Sequence, residues 1–522
     1  MMYFCSYYAR CPVWGSRYIQ FQANLIIRIA FAFREGHAPF TMGKEDMQRA
    51  FVAEPPCLAE LLFTASPSTR EKPKRFFKPF FIMKRAIIPS LLLLATLSGH
   101  AQTTAHYVPA KENLEARDRF AQRKFGVFLH WGLYSMFAQG EWYMQNEDID
   151  NHEYAKAADA FYPHHFDAAK WVSAIKAAGA KYICFTTRHH EGFSMWDTKL
   201  SDYNIMHTPY GKDIVRQLVD ECHKQGMGIH LYYSHIDWTR DDYPTGRTGL
   251  HTGKDPKKAD WPSYYRFMNG QLTELLTNYG PIDGIWFDGW WDHDEDATPF
   301  DWQLTEQYAL IHKLQPACII GNNHHHAPFE GEDMQMFERD VPGENRNGLS
   351  GQSVSALPLE TCQTMNGMWG YKIKDQNYKS TKELLRLLVR TASKGANLLL
   401  NVGPQPNGEL PAMALERLHE MGEFLNGKAS ESIYGTQAGG YALGDSIVTT
   451  RNNQQRALYI HVLTDSAHTS ITLPVSERIK KVTVLTSGVK AQAKRNSKKE
   501  TVEFTLPGMQ PGSVDYILKA EW

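Results

Sequence analysis

The chain has 522 residues, of which 43% are hydrophobic and 22% charged. This composition is ordinary for a globular protein, and the length favours one large domain with a smaller one. Residues 1–101 hold 13 of the 56 Lys and Arg and 6 of the 57 Asp and Glu, so the remainder carries 43 basic and 51 acidic side chains, a net charge of −8. That balance argues against a nucleic acid or an anionic membrane as a partner.

Residues 83–101 have the pattern of a secretory signal. Lys84 and Arg85 follow Met83, an apolar run too short to span a membrane comes next, and small residues precede a cut after Ala101. Because a signal begins a protein, we expect translation to start at Met83 and residues 1–82 to be an extension that is not part of the protein. The expected location is the periplasm or the medium, with no membrane attachment once the signal is removed.

Residues 102–432 alternate between predicted strands and helices. Apolar runs predict strands at Phe125–His130, Tyr182–Thr187, Gly228–Ser234, Ile282–Asp288, Cys318–Asn322, Met334–Glu338 and Asn397–Val402. Three- and four-residue apolar spacing predicts helices at Asp167–Ala178, Asp213–Gln225, Ser263–Tyr279, Trp302–Leu314, Thr381–Ser393 and Pro411–Leu425. Seven or eight such units favour a (β/α)₈-like barrel of the α/β class. The loop-rich piece 325–380 indicates an irregularity there.

Residues 433–522 have a different pattern. Short β-rich runs separated by turn residues predict an antiparallel β-sandwich. The predicted strands are Ser446–Thr450, Ala457–Val462, Ser470–Leu473, Lys481–Thr486, Val502–Leu506 and Asp515–Lys519. We expect this domain to pack on the barrel rather than to bind glycans, since a fold alone does not give a function.

Several predicted barrel strands end in polar residues that can take part in catalysis. His130, the pair His189-His190, Tyr232, Asp288 and Glu338 each lie at or just after the end of an apolar run. The carboxyl ends of parallel barrel strands meet at one face, so these side chains are expected to converge on one pocket. Each motif is weak when taken alone, and the inference rests on their convergence.

Asp288 is the sharpest candidate among these residues. It ends the run Ile285-Trp286-Phe287-Asp288 and is followed by Trp290 and Trp291. Aromatic rings stack on sugar faces, and a carboxylate among them can attack an anomeric carbon. A retaining glycosidase needs a second carboxyl group about 5–5.5 Å away. The candidates are Glu338, Glu344, Glu360 and Glu141; the turn around Glu344 favours a surface role for it.

A zinc hydrolase is an alternative interpretation of the same residues. His130, His189, His190 and Asp288 are of the types that bind zinc. However, adjacent histidines on an extended strand point to opposite faces, so His189 and His190 would rarely bind one ion. We therefore expect no metal.

Six motifs resemble one known family when they are taken together and in order. They are His130-Trp131-Gly132, Gly140-Glu141-Trp142-Tyr143, His189-His190-Glu191-Gly192-Phe193 with Trp196-Asp197 and Asp202-Tyr203-Asn204, Tyr232-Tyr233-Ser234, Trp286-Phe287-Asp288-Gly289, and Asn397-Leu398-Leu399-Leu400-Asn401-Val402-Gly403-Pro404. As a set they resemble the α-L-fucosidase family of glycoside hydrolases (family 29) over about residues 105–430. The resemblance implies a retaining mechanism through a covalent fucosyl-enzyme, with no cofactor.

The resemblance also implies roles for individual residues. Asp288 matches the nucleophile, and Glu338 is the expected acid/base, with Glu360 as the second choice or a site-supporting carboxylate. Many members have Asn-Asp-Arg after strand five where this chain has Asn322-Asn323-His324, and we expect His324 to replace the arginine. Positions that hold the fucose ring and its hydroxyls are matched by His130, Glu141, Trp142, His189, His190, Tyr232 and Trp286.

The expected activity is exo-acting removal of terminal α-L-fucose from oligosaccharides or glycoconjugates. Two alternatives stay open. One is another retaining barrel glycosidase, such as a galactosidase, whose site must bind a polar C6 hydroxyl where fucose has a methyl group. The other is a carbohydrate-binding protein without catalysis. The sequence does not disclose the linkage preference or the oligomeric state.

Overall fold

A computed structural model describes residues 106–522, and the predicted extension and signal lie outside the described residues. The described residues belong to one compact unit. Among the described residues, no helix combines the length and the apolar character that crossing a bilayer requires.

Eight parallel strands form the barrel. They are β1 Phe125–Leu129, β2 Tyr182–Arg188, β3 Gly228–Ser234, β4 Gly284–Asp288, β5 Ile319–Asn322, β6 Gln335–Glu338, β7 Leu359–Thr364 and β8 Asn397–Val402. The order in the sheet is β5-β4-β3-β2-β1-β8-β7-β6. Between β5 and β6 the regular ladder is replaced by two bonds, from the amides of Asp333 and Met334 to the carbonyl of Ile320. The predicted barrel and its irregularity are therefore confirmed.

Nine α-helices accompany the barrel in the described residues. They are α1 Lys111–Arg123, α2 Tyr143–Asn146, α3 Asn151–Ala155, α4 Ala168–Ala177, α5 Ile214–Gln225, α6 Trp261–Asn278, α7 Leu304–Leu314, α8 Thr381–Ser393 and α9 Ala412–Leu425. Aspartates Asp213 and Asp260 cap α5 and α6, and Ser380 with Glu383 forms a capping box on α8. These caps define where the helices begin and hence the length of each loop above the barrel.

Alternate residues of each strand face opposite sides of the barrel wall. Phe128, Cys184, Tyr232, Trp286 and Cys362 belong to one buried cluster in the barrel interior. Their strand neighbours pack instead in the layer between strands and helices, for example Val127, Ile183, Leu231 and Ile285. This period of two places every second side chain of a strand in the barrel interior.

Helix α1 lies across the opposite, amino end of the barrel. Its Phe120 contacts the rings of Tyr182 and His230, and its carbonyl accepts a hydrogen bond of 2.7 Å from Asn397 Nδ2. Helix α1 was not among the helices predicted from the sequence. Because this end is closed, the barrel interior opens only towards the carboxyl ends of the strands.

The C-terminal strands form two antiparallel sheets, as predicted. They are β9 Gln437–Leu443, β10 Ile447–Asn452, β11 Ala457–Val462, β12 Ser470–Leu473, β13 Lys481–Val484, β14 Lys490–Ala491, β15 Ala493–Asn496, β16 Thr501–Thr505 and β17 Tyr516–Glu521. One sheet has six strands and the other has three. The larger sheet packs against α8, where Arg386 donates to the carbonyls of Ser513 and Val514.

Candidate active site

The strand ends of the barrel enclose a cavity of about 410 Å³. It is lined by Phe128, His130, Trp142, His189, His190, Arg247, Trp286, Asp288, Trp291, Asp294, Asn323, His325, Glu338, Leu349, Cys362 and Trp369. Of the six strand-end residues expected to converge, His130, His189, His190, Asp288 and Glu338 line the cavity, and Tyr232 instead bonds to Asp288. Trp142 and Trp286, which the family resemblance implied, line it as well. A volume of this size suits one monosaccharide unit.

Asp288 lies in the cavity wall at the end of β4, with both carboxylate oxygens engaged. Tyr232 donates its hydroxyl to Oδ2 at 3.0 Å, while the amide of Gly289 and the indole Nε1 of Trp291 donate to Oδ1 at 2.8 and 3.1 Å. Burial, together with the charge of Glu338, raises the pKa of Asp288 from 3.8 to about 6. The carboxylate is therefore ionised at neutral pH, and its orientation is fixed by three donors.

Glu338 lies at the end of β6 and faces the same cavity. Its Oε2 accepts from Asn323 Nδ2 at 2.9 Å and lies 3.1 Å from His325 Nε2. Burial disfavours the charged form, but the hydrogen bonds and charges of His325, Asn323 and Arg339 outweigh it, so the pKa of Glu338 is lowered from 4.5. Glu338 is therefore the more acidic of the two carboxyl groups.

Three histidines form one side of the cavity and are held in defined orientations. His130 Nδ1 lies 2.6 Å from Asn401 Oδ1, and His190 Nδ1 lies 2.6 Å from Ser234 Oγ. Burial lowers the pKa of His130 and of His190 to about 3, and that of His189 well below 6.5. A neutral imidazole has one donor and one acceptor, which suits recognition of hydroxyl groups.

The aromatic part of the wall is built in two pieces. Trp142 stacks on Trp291 with centroids 5.8 Å apart and contacts Trp238 edge-on at 5.3 Å. On the floor, Trp286 stacks on Tyr232 at 5.4 Å. Because Tyr232 also donates to Asp288, the floor and the carboxylate are positioned together.

A buried turn holds Trp291 in place. Asp292, which is fully buried, accepts from the Thr248 amide and hydroxyl at 2.8 Å and from the Tyr243 hydroxyl at 2.7 Å. These bonds attach the loop after β3 to the turn after β4. The rim residues Arg247 and Asp294 belong to these two segments and lie 3.3 Å apart.

The described residues give no ligand set for the zinc alternative. Between residues 106 and 522, no three His, Cys, Asp or Glu side chains are grouped so that they could hold a metal ion. His189 and His190, which that alternative needs on one ion, have different partners: His189 stacks on Tyr232, whereas His190 bonds Ser234 and lies 3.7 Å from Asp288.

The comparisons with known proteins agree with this geometry. A family model described as alpha-L-fucosidase matches residues 94–430. The chain belongs to the α-L-fucosidase family. It is 31% identical to the plasma alpha-L-fucosidase of Rattus norvegicus over 378 residues, which are 66% of this chain and 77% of the relative.

Solved structures of the family share the fold. Alpha-L-fucosidase isoenzyme 1 from Paenibacillus thiaminolyticus is 33% identical with a TM-score of 0.69, covering 78% of this chain and 99% of the other. The Thermotoga maritima alpha-fucosidase in complex with fucose is 26% identical with a TM-score of 0.63, covering 79% and 100%. The chain is thus a glycoside hydrolase of the α-L-fucosidase family, as the six motifs predicted.

Four of the predicted site residues do not line the cavity, namely Glu141, Tyr232, His324 and Glu360. Glu360, the second choice for the acid/base, is buried beneath the cavity floor, where Tyr182 and Trp286 donate to it at 2.6 and 2.8 Å. Burial raises its pKa to about 7. Since Glu360 does not line the cavity, it supports Trp286 rather than reaching a glycosidic oxygen.

Glu141 and Glu344 also lie behind or away from the cavity. Glu141 is buried and accepts the amide of Gly370 at 2.7 Å; burial raises its pKa. Glu344 pairs with Arg390 at 2.9 Å and Arg346 at 3.2 Å, as its turn-like sequence suggested. Neither residue lines the cavity.

His324, which was expected to replace the family arginine, does not line the cavity, whereas the next residue does. His324 is turned away and pairs with Glu332 at 3.0 Å, whereas His325 contacts Glu338. His325 has a left-handed backbone, with φ 65°. This conformation redirects its side chain, and a sequence motif does not reveal it.

Other cavity residues were missed because no strand-end pattern marks them. Arg247, Asp294, Leu349 and Trp369 come from long loops, and Trp369 packs against His130 with centroids 5.2 Å apart. Asn323 was quoted only as part of a motif. An aromatic or charged residue in a loop near a predicted strand end is the weak signal that could have identified them.

Proposed function

We propose that the chain is an exo-acting, retaining α-L-fucosidase in which Asp288 is the nucleophile and Glu338 the acid/base. The observation that carries the proposal is the presence of two carboxyl groups in the wall of one cavity of about 410 Å³. The charge of Glu338 acts on Asp288 and, after burial, contributes to its raised pKa. A cavity of this size at the carboxyl end of the barrel suits the terminal sugar of a glycan chain.

The wall of the cavity supports a 6-deoxy sugar as the substrate. Phe128, Trp286 and Trp369 present an apolar surface that suits a methyl group. Neutral His130, His189 and His190 can bind the sugar hydroxyls on another side. The Thermotoga maritima relative was solved with fucose, which is consistent with the same sugar here.

In the proposed reaction, Asp288 attacks the anomeric carbon while the glycosidic oxygen leaves with a proton from Glu338. The donors Tyr232, Trp291 and Gly289 hold the attacking carboxylate in one orientation. Water then enters, Glu338 takes a proton from it, and the covalent fucosyl ester on Asp288 is hydrolysed. Two inversions at the anomeric carbon give net retention.

The first experiment uses residues 102–522 and a set of aryl glycosides. We expect turnover of an aryl α-L-fucoside but not of galactosides or glucosides, and proton NMR should show the α-anomer of fucose forming first. Asp288→Gly should lower kcat by about 10³-fold or more. Turnover of galactosides would favour the other glycosidase class, and binding of fucose without turnover would favour a non-catalytic protein.

We also propose export through the segment 83–101, which the sequence pattern alone supports. The measurement is the N-terminal sequence of the protein recovered from the periplasm or medium. A mature terminus at Gln102 is the expected result. A protein retained in the cytoplasm with residues 83–101 intact would refute export.

A further inference from the structure

Three consecutive histidines follow β5, and only the middle one is directed at the carboxyl pair. His324 is held by Glu332, and its Nδ1 accepts the amide of His326 at 3.0 Å. His326 is exposed and contacts the ring of Trp290. His325, between them, lines the cavity and places Nε2 at 3.1 Å from Glu338 Oε2.

The backbone at His325 adopts the left-handed conformation in this position. A φ of 65° is uncommon for residues other than glycine, although asparagine, aspartate and histidine adopt it more often than the rest. This conformation turns His325 towards the cavity while His324 faces Glu332. His325 is also the one titratable group among the described residues whose side chain hydrogen-bonds Glu338.

The surroundings of Glu338 do not favour the protonated form that the proposed acid needs. The surroundings of Glu338 lower its pKa, and those of Asp288 raise it. Before a glycan binds, these surroundings therefore favour the ionised form of the carboxyl group that should donate a proton. A carboxylate only accepts hydrogen bonds, so Nε2 of His325 must carry the hydrogen of their shared bond.

We propose that His325 is the proton partner of Glu338: an imidazolium at His325 and the carboxylate of Glu338 share one proton, which lies on Nε2 before a glycan binds and moves to the carboxylate when a glycan fills the cavity. This inference rests on the proposed function of Glu338. Exclusion of water by the sugar disfavours a charged pair over a neutral one. The Nε2–H bond of the imidazolium breaks as an O–H bond forms on Glu338, and the imidazole keeps its Nδ1–H, so both groups are left neutral.

The proton then follows a balanced course. Glu338 gives it to the glycosidic oxygen as that oxygen leaves the anomeric carbon. In the second half-reaction Glu338 takes a proton from the attacking water, and the pair is reset. His325 is therefore a positioning residue, since it acts on the substrate only through Glu338.

Other charges face His325 and belong to the same titration. Asp288 from β4 interacts with it through space, Arg339 lies 3.9 Å from the second oxygen of Glu338, and Asp294 lines the same cavity. The alkaline limb of the pH profile should thus report the loss of one proton from the pair, not from a single residue.

The test is His325→Gln, which can keep a donor towards Glu338 but has no proton to release. His326→Gln is the matched control, because it makes the same chemical change one residue away and outside the cavity. His325→Asn is a second variant that tolerates the left-handed backbone. Thermal unfolding verifies that each variant is folded before kinetics are measured.

Two aryl fucosides separate the outcomes, one with a leaving group that needs a proton and one with a strongly acidic leaving group that does not. For His325→Gln we expect about a 10- to 100-fold lower kcat on the first and less than about a 3-fold change on the second. The alkaline limb on the first substrate should move down by about one pH unit, because Glu338 then has no partner that returns its proton. His326→Gln should behave as the unaltered enzyme.

Equal losses on both substrates, or an unmoved alkaline limb, would overturn the proposal and leave His325 with a structural role. Glu338→Gln distinguishes this from a failure of the proposed function. If Glu338→Gln shows the leaving-group selectivity and His325→Gln does not, only the shared proton is refuted. If Glu338→Gln shows no such selectivity, Glu338 is not the acid/base, and the proposed role of His325 is refuted as well.

Discussion

Replacing Asp288 by Asn should make the protein more stable at neutral pH while abolishing activity. The side chain is 14% exposed, and its pKa is raised from 3.8 to about 6 by burial and by Glu338. The folded state therefore binds this proton more tightly than the unfolded state does. The resulting stabilisation is complete below about pH 4 and is lost as the pH rises through about 6.

The size of the effect follows from the shift. A rise of about two pKa units corresponds to roughly 3 kcal/mol of strain in the ionised folded state above pH 6. An Asn amide removes the charge but forces the Tyr232 hydroxyl to turn and accept a hydrogen bond, which costs about 1 kcal/mol. We expect a net gain of about 1–2 kcal/mol in the free energy of unfolding at pH 7.5, and none at pH 4.

Urea unfolding of residues 102–522 at both pH values measures this gain. Asp294→Asn is the matched control, because Asp294 lines the same cavity but pairs with Arg247 at 3.3 Å; no gain is expected from it. An unchanged stability at pH 7.5 would contradict the claim that the charge of Asp288 destabilises the folded state. An equal gain at both pH values would also refute it, since that would point to packing and not to charge.

Three further predictions concern a buried ion pair, a hydrogen bond to Asp288 and the effect of removing metal ions. Asp237→Ala should lower the free energy of unfolding by about 3–5 kcal/mol in urea titrations, because it leaves the fully buried Arg188 without its carboxylate; a loss below about 1 kcal/mol would contradict this. Trp291→Phe removes a donor that lowers the pKa of Asp288, so the acidic limb of kcat/KM should move to higher pH, and an unchanged limb would speak against the contact. Activity should survive dialysis against EDTA, since the described residues offer no metal ligand set; a loss restored by a divalent cation would count against this.

The barrel was predictable because most of its strands are buried on both faces. Continuous apolar runs such as Tyr182–Thr187 and Asn397–Val402 predict such strands within one or two residues. The exception is β7, Leu359–Thr364, which reads Leu-Glu-Thr-Cys-Gln-Thr. Its polar residues are satisfied by partners far away in sequence, such as Tyr182 for Glu360, so no local pattern identifies it as a strand.

The C-terminal domain shows the same limit. Strands with apolar residues facing the core, such as Ala457–Val462, were predicted, whereas β9, Gln437–Leu443, was missed. This edge strand is glycine-containing and mostly exposed. Its strand conformation comes from pairing with β10, and that pairing does not depend on its own hydrophobic pattern.

The sequence by itself determined the fold class, the family and the residues at the strand ends. The reason is that the periodicity of apolar residues shows which side chains are buried and where each strand ends. Asp288 and Glu338 follow from that pattern. Only the tertiary structure decided which neighbouring side chain reaches the carboxyl pair. The left-handed backbone at His325 and the Glu332 partner of His324 make that choice, and both depend on contacts between segments that chain order does not bring together.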